Sequence, residues 1–427
     1  MSKFQIILLC FFGFFMILAV LIFAIYKGGG STQADITIWG DLPAEDFSMM
    51  LNSTASVRGS NINMNYVEKS TDTLDEEFTE ALAQGGGPDL LITTQDKFLQ
   101  QKSKLIAIPY QSVSERDFKQ TFIEEGELFL TGEGIYALPL LVDPLVLYHN
   151  RDHNSSAGNA KPIAYWDEIY SAATKLTKRD AAGNITQSTI ALGETRNIPH
   201  AKDILSLLFL QAGTPITGFI GTELRSVLSY NFDLPVMPGE AALDFYTQFS
   251  NPAKPYYSWN RTLPLAQNHF TSGDSAYYIG YASELKTLRG KNPTLNFGVS
   301  AVPQSRVSGR KTTYGKLYAV AMSRGTANIA GAFEAARLLA SRDIAGPLAQ
   351  IMILPPARRD LLSQKQSDSI LPVFYDSALQ ARGWLDPEYD ATRIIFNKMI
   401  DDVIAGRSRT IEAVNAADRE LGAQIKN

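Results

Sequence analysis

The chain opens on 23 consecutive uncharged residues over 4–26, FQIILLCFFGFFMILAVLIFAIY. At about 1.5 Å per residue a helix of this length covers about 34 Å, enough to cross a bilayer. A cleaved signal would end at small residues, whereas this run ends in Ile25-Tyr26-Lys27. The pattern predicts a transmembrane anchor over 4–26 and a flexible linker over 27–34, with Gly28-Gly29-Gly30-Ser31 at its centre. Residues 35–40, DITIWG, then alternate with the period of a strand, and a helical pattern follows to about residue 57. A second strand is expected over 61–67, a helix over 73–84 and a third strand over 88–92. Strands and helices alternating at this spacing predict βαβ units in a mostly parallel sheet. Gly85-Gly86-Gly87 precedes a strand and has no Lys-Ser/Thr behind it, so it reads as a helix end, not a phosphate cradle. Residues 137–150, ALPLLVDPLVLYHN, are apolar almost throughout; Asp143-Pro144 predicts a break between two strands, since proline is hard to place inside a central strand. Further helices are expected over 204–210, 240–249 and 329–339, and strands over 296–302 and 317–322. Two terminal helices broken at Gly406 complete the pattern over 393–425.

Composition narrows the class. At 45% hydrophobic and 19% charged residues the chain is globular, and roughly 390 residues beyond the linker exceed the ~250–300 that one core sustains, so two lobes are expected. Lys3 and Lys27 are the only charged side chains among the first 34 residues, leaving 37 basic against 44 acidic groups in the rest. That acidic balance argues against a nucleic-acid binder. The single cysteine, Cys10, rules out disulfide scaffolds, CxxC redox chemistry and thiolate zinc sites beyond the first segment. No GxSxG, HExxH or Walker A motif is present, so no enzyme is expected. Lys3 before the apolar run, with Lys27 and then Asp35 and Asp41 after it, predicts an amino terminus in the cytoplasm and the bulk of the chain outside, extracellular or periplasmic.

The order of landmarks resembles the extracellular solute-binding proteins of ABC importers, the maltose-binding-protein-like class. The pieces are Ile38-Trp39-Gly40, GGGPDLLITTQD (85–96), GIYALPLLVDPLVLYHNRD (134–152), PIAYWDEI (162–169), LLFLQAG (207–213), HFTSGDSAYYIGYASEL (269–285), FGVSAVP (297–303), YGKLYAVAMSRG (314–325) and AFEAARLLAS (332–341). The resemblance implies the type II periplasmic-binding-protein-like α/β fold, with lobes over 35–141 plus 308–352 and over 144–305 plus 356–427. A hinge and a ligand cleft lie between them. It also implies a small polar ligand, favouring a sugar or oligosaccharide, and ABC permease subunits as partners. The alternatives are a peptide, a polyamine or ferric iron as ligand, or a surface sensor or scaffold that keeps the fold.

Sugars are held by aromatic faces and by carboxylates and amides that meet hydroxyls. Trp39 and Asp41 follow the first strand, where α/β sheets bind ligands beyond strand carboxyl ends. Asp143 interrupts an apolar run, and a buried carboxylate needs partners. By resemblance the cleft also takes Thr93 and Asp96, Glu194 and Arg196, Tyr281 and Tyr314, with the aromatic Trp259 and Trp384 as further candidates. No cofactor and no metal are expected. His149 and His153 lie at a strand end instead of along one helix face, and Tyr277-Tyr278 reads as part of a sugar-type element, not an iron-binding pair.

Overall fold

The computed structural model describes residues 13, 15, 16, 18, 34–158, 161–234, 236–306, 309–364 and 368–425. Residues 13, 15, 16 and 18 of the predicted anchor are helical; the rest of 4–26, and the linker as far as residue 33, lie outside the described residues. Among the described residues no helix is long and apolar enough to cross a membrane. Ala34, assigned to the linker by composition, already belongs to the first strand and pairs with Ile62.

Strand Ala34–Gly40 lies parallel to Ile62–Glu68 on one side and to Leu90–Thr94 on the other. Helices Ala44–Ser53 and Leu74–Ala83 return the chain between them, as the alternating pattern requires. The second helix carries Asp75, Glu76 and Glu77 in its first turn, where free backbone N–H groups favour negative charge. It leaves through Gly85 and Gly87, whose φ values of 76° and 117° suit glycine.

The sheet is mixed, not mostly parallel. It runs from Ile62–Glu68 through Ala34–Gly40, Leu90–Thr94, Thr313–Ser323, Ala137–Asn150, Ser275–Tyr281 and Ile185–Ile190 to Lys178–Arg179. Helical crossovers produce parallel pairs toward its ends. At its centre, Thr313–Ser323 runs antiparallel to Leu90–Thr94 and to Ala137–Asn150, which in turn is antiparallel to Ser275–Tyr281 and Phe297–Ala301.

Residues 137–150 form one strand of 14 residues, not two. Its first part pairs with 315–321, and its second part with 277–281 on one edge and 297–301 on the other. Pro144 stands opposite Gly315 where these ladders change over, so its missing N–H falls at the changeover and not within a ladder. Every residue of the strand except His149 is buried, which accounts for its unbroken apolar run. Helix Ala201–Ala212 packs across Thr313–Ser323, and helices Tyr389–Ile404 and Thr410–Gln424 pack on one another across the turn at Gly406.

Candidate functional site

A cavity of about 450 Å³ opens beyond the carboxyl ends of the first and third strands. Asp41 follows Ala34–Gly40 and Asp96 follows Leu90–Thr94, while Lys316 and Tyr318 project from Thr313–Ser323 and Tyr389 from the start of the helix Tyr389–Ile404. Lys316 and Tyr318 share a face because side chains alternate along a strand; Leu317 between them is fully buried. Asp41 accepts from the Thr71 hydroxyl at 3.1 Å, and Asp96 accepts from Thr94.

Lys316 is the centre of the arrangement. Its ammonium lies 5.0 Å from the centroid of the Tyr281 ring and 5.8 Å from that of Tyr389, and among the described residues it makes no hydrogen bond or close ion pair. Burial works against its charge, but Asp203, Asp96, Asp143 and Asp41 outweigh that cost and raise its pKa. Asp203 is 2% exposed and Tyr281 3% exposed, and the Asp203 carboxylate lies against the Tyr281 hydroxyl. Burial, and then the Asp203 carboxylate, push the Tyr281 phenol well above its ordinary value. Asp143, also buried, accepts from the Ser283 backbone N–H at 3.0 Å, and burial raises its pKa to about 6 despite that bond. Tertiary structure thus gathers an ammonium, two carboxylates and a phenol from segments remote in sequence.

Two buried networks hold these groups. Lys202 pairs with Asp386 at 2.5 Å, donates to Thr392 Oγ1 at 2.7 Å and to the Tyr389 carbonyl at 3.1 Å, and lies 3.8 Å from the centroid of the Tyr389 ring. It fixes Tyr389 against the helix Ala201–Ala212 that carries Asp203. Glu284 accepts from the Tyr281 backbone N–H at 2.9 Å, the Tyr278 hydroxyl at 2.6 Å and Gln267 at 2.6 Å, and meets His200 Nε2 at 2.7 Å. Burial opposes the charge on His200, yet Glu284 raises its pKa. Gly280 has no room for a side chain: a Cβ there would meet Tyr278 Cε1 at 2.5 Å.

The residues expected from sequence fall into two groups. Asp41 and Asp96 line the cavity, and Asp143 and Tyr281 face Lys316. Tyr314 is 1% exposed on the same strand, beneath this cluster. The others lie elsewhere. Trp39 carries Lys69 over its ring, 4.1 Å from the centroid. Thr93 gives its hydroxyl to Gln101 at 2.5 Å, so its neighbour Thr94 is the cavity residue. Glu194 pairs with Arg261 at 3.4 Å and Arg196 is exposed. Their neighbour Thr195 bonds Asp401, twelve residues along its helix from Tyr389 and therefore about 18 Å away. Trp259 donates to Asn197 Oδ1 at 2.9 Å within the core, and Trp384 donates to Ser206 and stacks on Phe396. His153 Nε2 meets the Gly273 carbonyl, while Tyr277 and Tyr278 give their hydroxyls to Asn154 and Glu284. Among the described residues no group of three or more His, Cys, Asp or Glu could hold a metal ion.

Lys316, Asp203, Tyr318 and Tyr389 escaped the sequence reading. The period-two alternation of YGKLYAV gave a signal for Lys316 and Tyr318, and two adjacent charges opening the apolar helix after His200 gave one for Asp203. Tyr389 had none, because it reaches the cavity from a segment remote in sequence.

Comparison with known proteins gives the family and the fold. A family model described as bacterial extracellular solute-binding protein matches residues 54–372. Proteins of Brucella abortus and Brucella suis, named only as binding proteins, are 25% identical over 292 residues, 66% of this chain; the chain spans 65% of their length. Among solved structures, a cyclo/maltodextrin-binding protein complexed with maltotetraose superposes with a TM-score of 0.74 at 16% identity, covering 92% of this chain and 97% of that one. A Thermotoga lettingae ABC-transporter solute-binding protein bound with α-D-tagatose gives 0.69 at 18% identity over 92% and 100%. The maltose/maltodextrin-binding domain of Bdellovibrio bacteriovorus bound to maltotriose gives 0.69 at 14% identity, also over 92% and 100%. These structures share the fold, and the proteins are binding proteins rather than enzymes. The chain belongs to the bacterial extracellular solute-binding proteins.

Proposed function

We propose that this chain is the membrane-tethered, substrate-binding component of an ABC importer. In this reading it closes two lobes, 35–141 plus 308–352 and 144–305 plus 356–427, around a mono- or oligosaccharide and hands it to permease subunits. The observation that carries the ligand class is the set of groups around Lys316. Lys316, without a close partner among the described residues, stands on the cavity wall with the Tyr281 and Tyr389 rings beside it and the Asp203, Asp96, Asp143 and Asp41 carboxylates around it. A charged group placed on a cavity wall among polar side chains is met there by a ligand's own donors and acceptors. A polyol supplies donors and acceptors at once, and its apolar ring faces suit the Tyr281 and Tyr389 rings. Complexes of similar folds with maltotetraose, tagatose and maltotriose support a sugar.

A thermal-shift screen of the full chain in detergent against sugars, peptides, polyamines and ferric iron tests the ligand class. Binding confined to the folded state raises Tm, so a response to sugars is expected, and a response to one of the other classes alone would replace this reading. Intact-mass analysis of membrane-extracted protein tests the tether: retention of residues 4–26 is expected, whereas a mature chain starting near residue 30 would remove it.

A further inference from the structure

Glu125 sits in the short 3-10 helix Glu124–Phe129 at 2% exposure, and neither oxygen of its carboxyl has a hydrogen-bond partner among the described residues. It is wedged between two glycines: a Cβ at Gly383 would meet its Oε1 at 2.8 Å, and one at Gly315 its Oε2 at 3.3 Å. Gly315 stands opposite Pro144, where the ladders of the long strand change over. Gly383 follows Ala381–Arg382, a short strand that pairs with Thr313 and Tyr314. In the lobes proposed above, Glu125 belongs to one and the segment 381–383 that covers it to the other. Ion pairs span the same boundary: Arg382 meets Glu124 at 2.8 Å, and Lys286 meets Asp46 at 3.4 Å.

The elements packed around Glu125 offer it no cation among the described residues. Arg382 and Arg310 are taken by Glu124, Lys119 by Glu115 and Glu127, and Arg358 by Asp360, while Arg359 donates to the Phe122 carbonyl at 2.6 Å. Lys316 faces Asp41, Asp96, Asp143 and Asp203, and the buried Tyr314 stays a neutral phenol. An ionised carboxylate at this position would be shielded from solvent with neither a donor nor a counter-ion, which is costly. We propose that Glu125 is a proton switch on lobe closure: it is neutral while residues 381–383 cover it and ionised once opening admits solvent, so closing the cleft takes up one proton. This rests on the two-lobe closure proposed above and adds its regulation. Burial, and then the like charge of Asp96, push the Glu125 carboxyl well above its ordinary value of 4.5, in agreement. The pKa is therefore higher closed than open. Closure is fully favoured below the ordinary value and loses ground as pH rises toward the closed-state value, by up to about tenfold in the closed-to-open ratio per pH unit. A binding protein with this switch holds its ligand more tightly in acid and releases it more readily at neutral pH.

The test uses the full chain in detergent, with its single cysteine removed by Cys10→Ser and a reporter pair, Asp46→Cys/Lys286→Cys, that a short bismaleimide joins only when the lobes meet. Initial cross-linking rates are compared from pH 5 to pH 8 between this chain and the same chain carrying Glu125→Gln, which keeps the shape and cannot ionise. Thiol reactivity and the other titrating groups, Asp143, Asp386 and His200 among them, are common to both. The rate with Glu125→Gln divided by the rate without it should rise at least about tenfold across that range. Should Glu125→Gln fail to fold, infrared spectra at pH 7 decide: the cross-linked chain should show one more protonated carboxyl than the chain capped with N-ethylmaleimide, and equal bands overturn the switch. A rate ratio that does not change with pH also overturns it and leaves closure standing. If cross-linked and capped chains have the same radius of gyration at pH 8, by scattering with the detergent matched out, closure itself falls and this inference with it.

Discussion

Asp143 shows how one side chain serves two opposed demands. Burial lifts its pKa to about 6, so at neutral pH the fold holds an ionised carboxylate that it would rather protonate. Its folded pKa lies above the ordinary value of 3.8, so the stability it contributes is full below about pH 4 and is lost as pH rises through about 6. Asp143→Asn removes that titration. The variant should melt at or above the wild-type temperature at pH 7.5 and flatten the decline between pH 4 and 6, while losing about tenfold or more in ligand affinity through the loss of a charge-assisted hydrogen bond. A lowered melting temperature with an unchanged dissociation constant would assign Asp143 to the hinge alone. Lys316 makes the complementary case. Lys316→Met leaves Asp41, Asp96, Asp143 and Asp203 facing one another without their shared cation. Asp41 and Asp143, already raised by burial, lose a cation that lowers their pKa, so stability at neutral pH should fall by about 1–3 kcal/mol and recover on acidification. Denaturant titrations at pH 5 and pH 8 measure both, and equal losses at the two values would contradict this account.

At the scale of elements, the helix Ala201–Ala212 and the start of Tyr389–Ile404 are joined through the buried pair Lys202–Asp386. Asp386 titrates at about 6, raised by burial and held down by Lys202. Lys202→Met strands the carboxylate and should cost about 3–5 kcal/mol, whereas Lys202→Met/Asp386→Leu should recover much of that loss because a well-packed apolar pair replaces the ions. Tyr389 would then lose its clamp, so the double variant should be stable yet bind ligand more weakly. Chemical denaturation and calorimetry on both variants read these outcomes, and a double variant no more stable than the single would refute the pairing argument. The Tyr278–Glu284 network is similarly tied to backbone. Gly280→Ala drives a Cβ into the Tyr278 ring and should perturb Tyr281 and hence affinity.

At the scale of the molecule, Ala137–Asn150 carries the ladders of both halves of the sheet, which change over near Pro144 and Gly315, and the proposed closure of the two lobes would turn on that point. Scattering with and without the ligand found by screening should show a smaller radius of gyration in the bound form; unchanged dimensions would argue for a rigid cleft. The same strand marks how far the sequence reaches. Its apolar run announced strand, though as two strands broken at Asp143-Pro144, and period-two and period-3.6 patterns placed the first three strands, the intervening helices and the terminal helix pair broken at Gly406. Those are local properties, written in consecutive side chains. Asp41 follows a strand end visible in sequence, whereas Asp96 came from the family resemblance; both line the cavity. Trp259 and Trp384 could not be told from cleft aromatics, because stacking on a ligand and donating to Asn197 or Ser206 in a core demand the same residue type. That Pro144 would sit within a continuous strand, that Lys316 would stand among four carboxylates and that Tyr389 would reach the cavity were decided only by tertiary structure. Each depends on which distant segments pack together, and burial, electrostatic field and hydrogen-bond satisfaction are properties of that packing and not of any single stretch of chain.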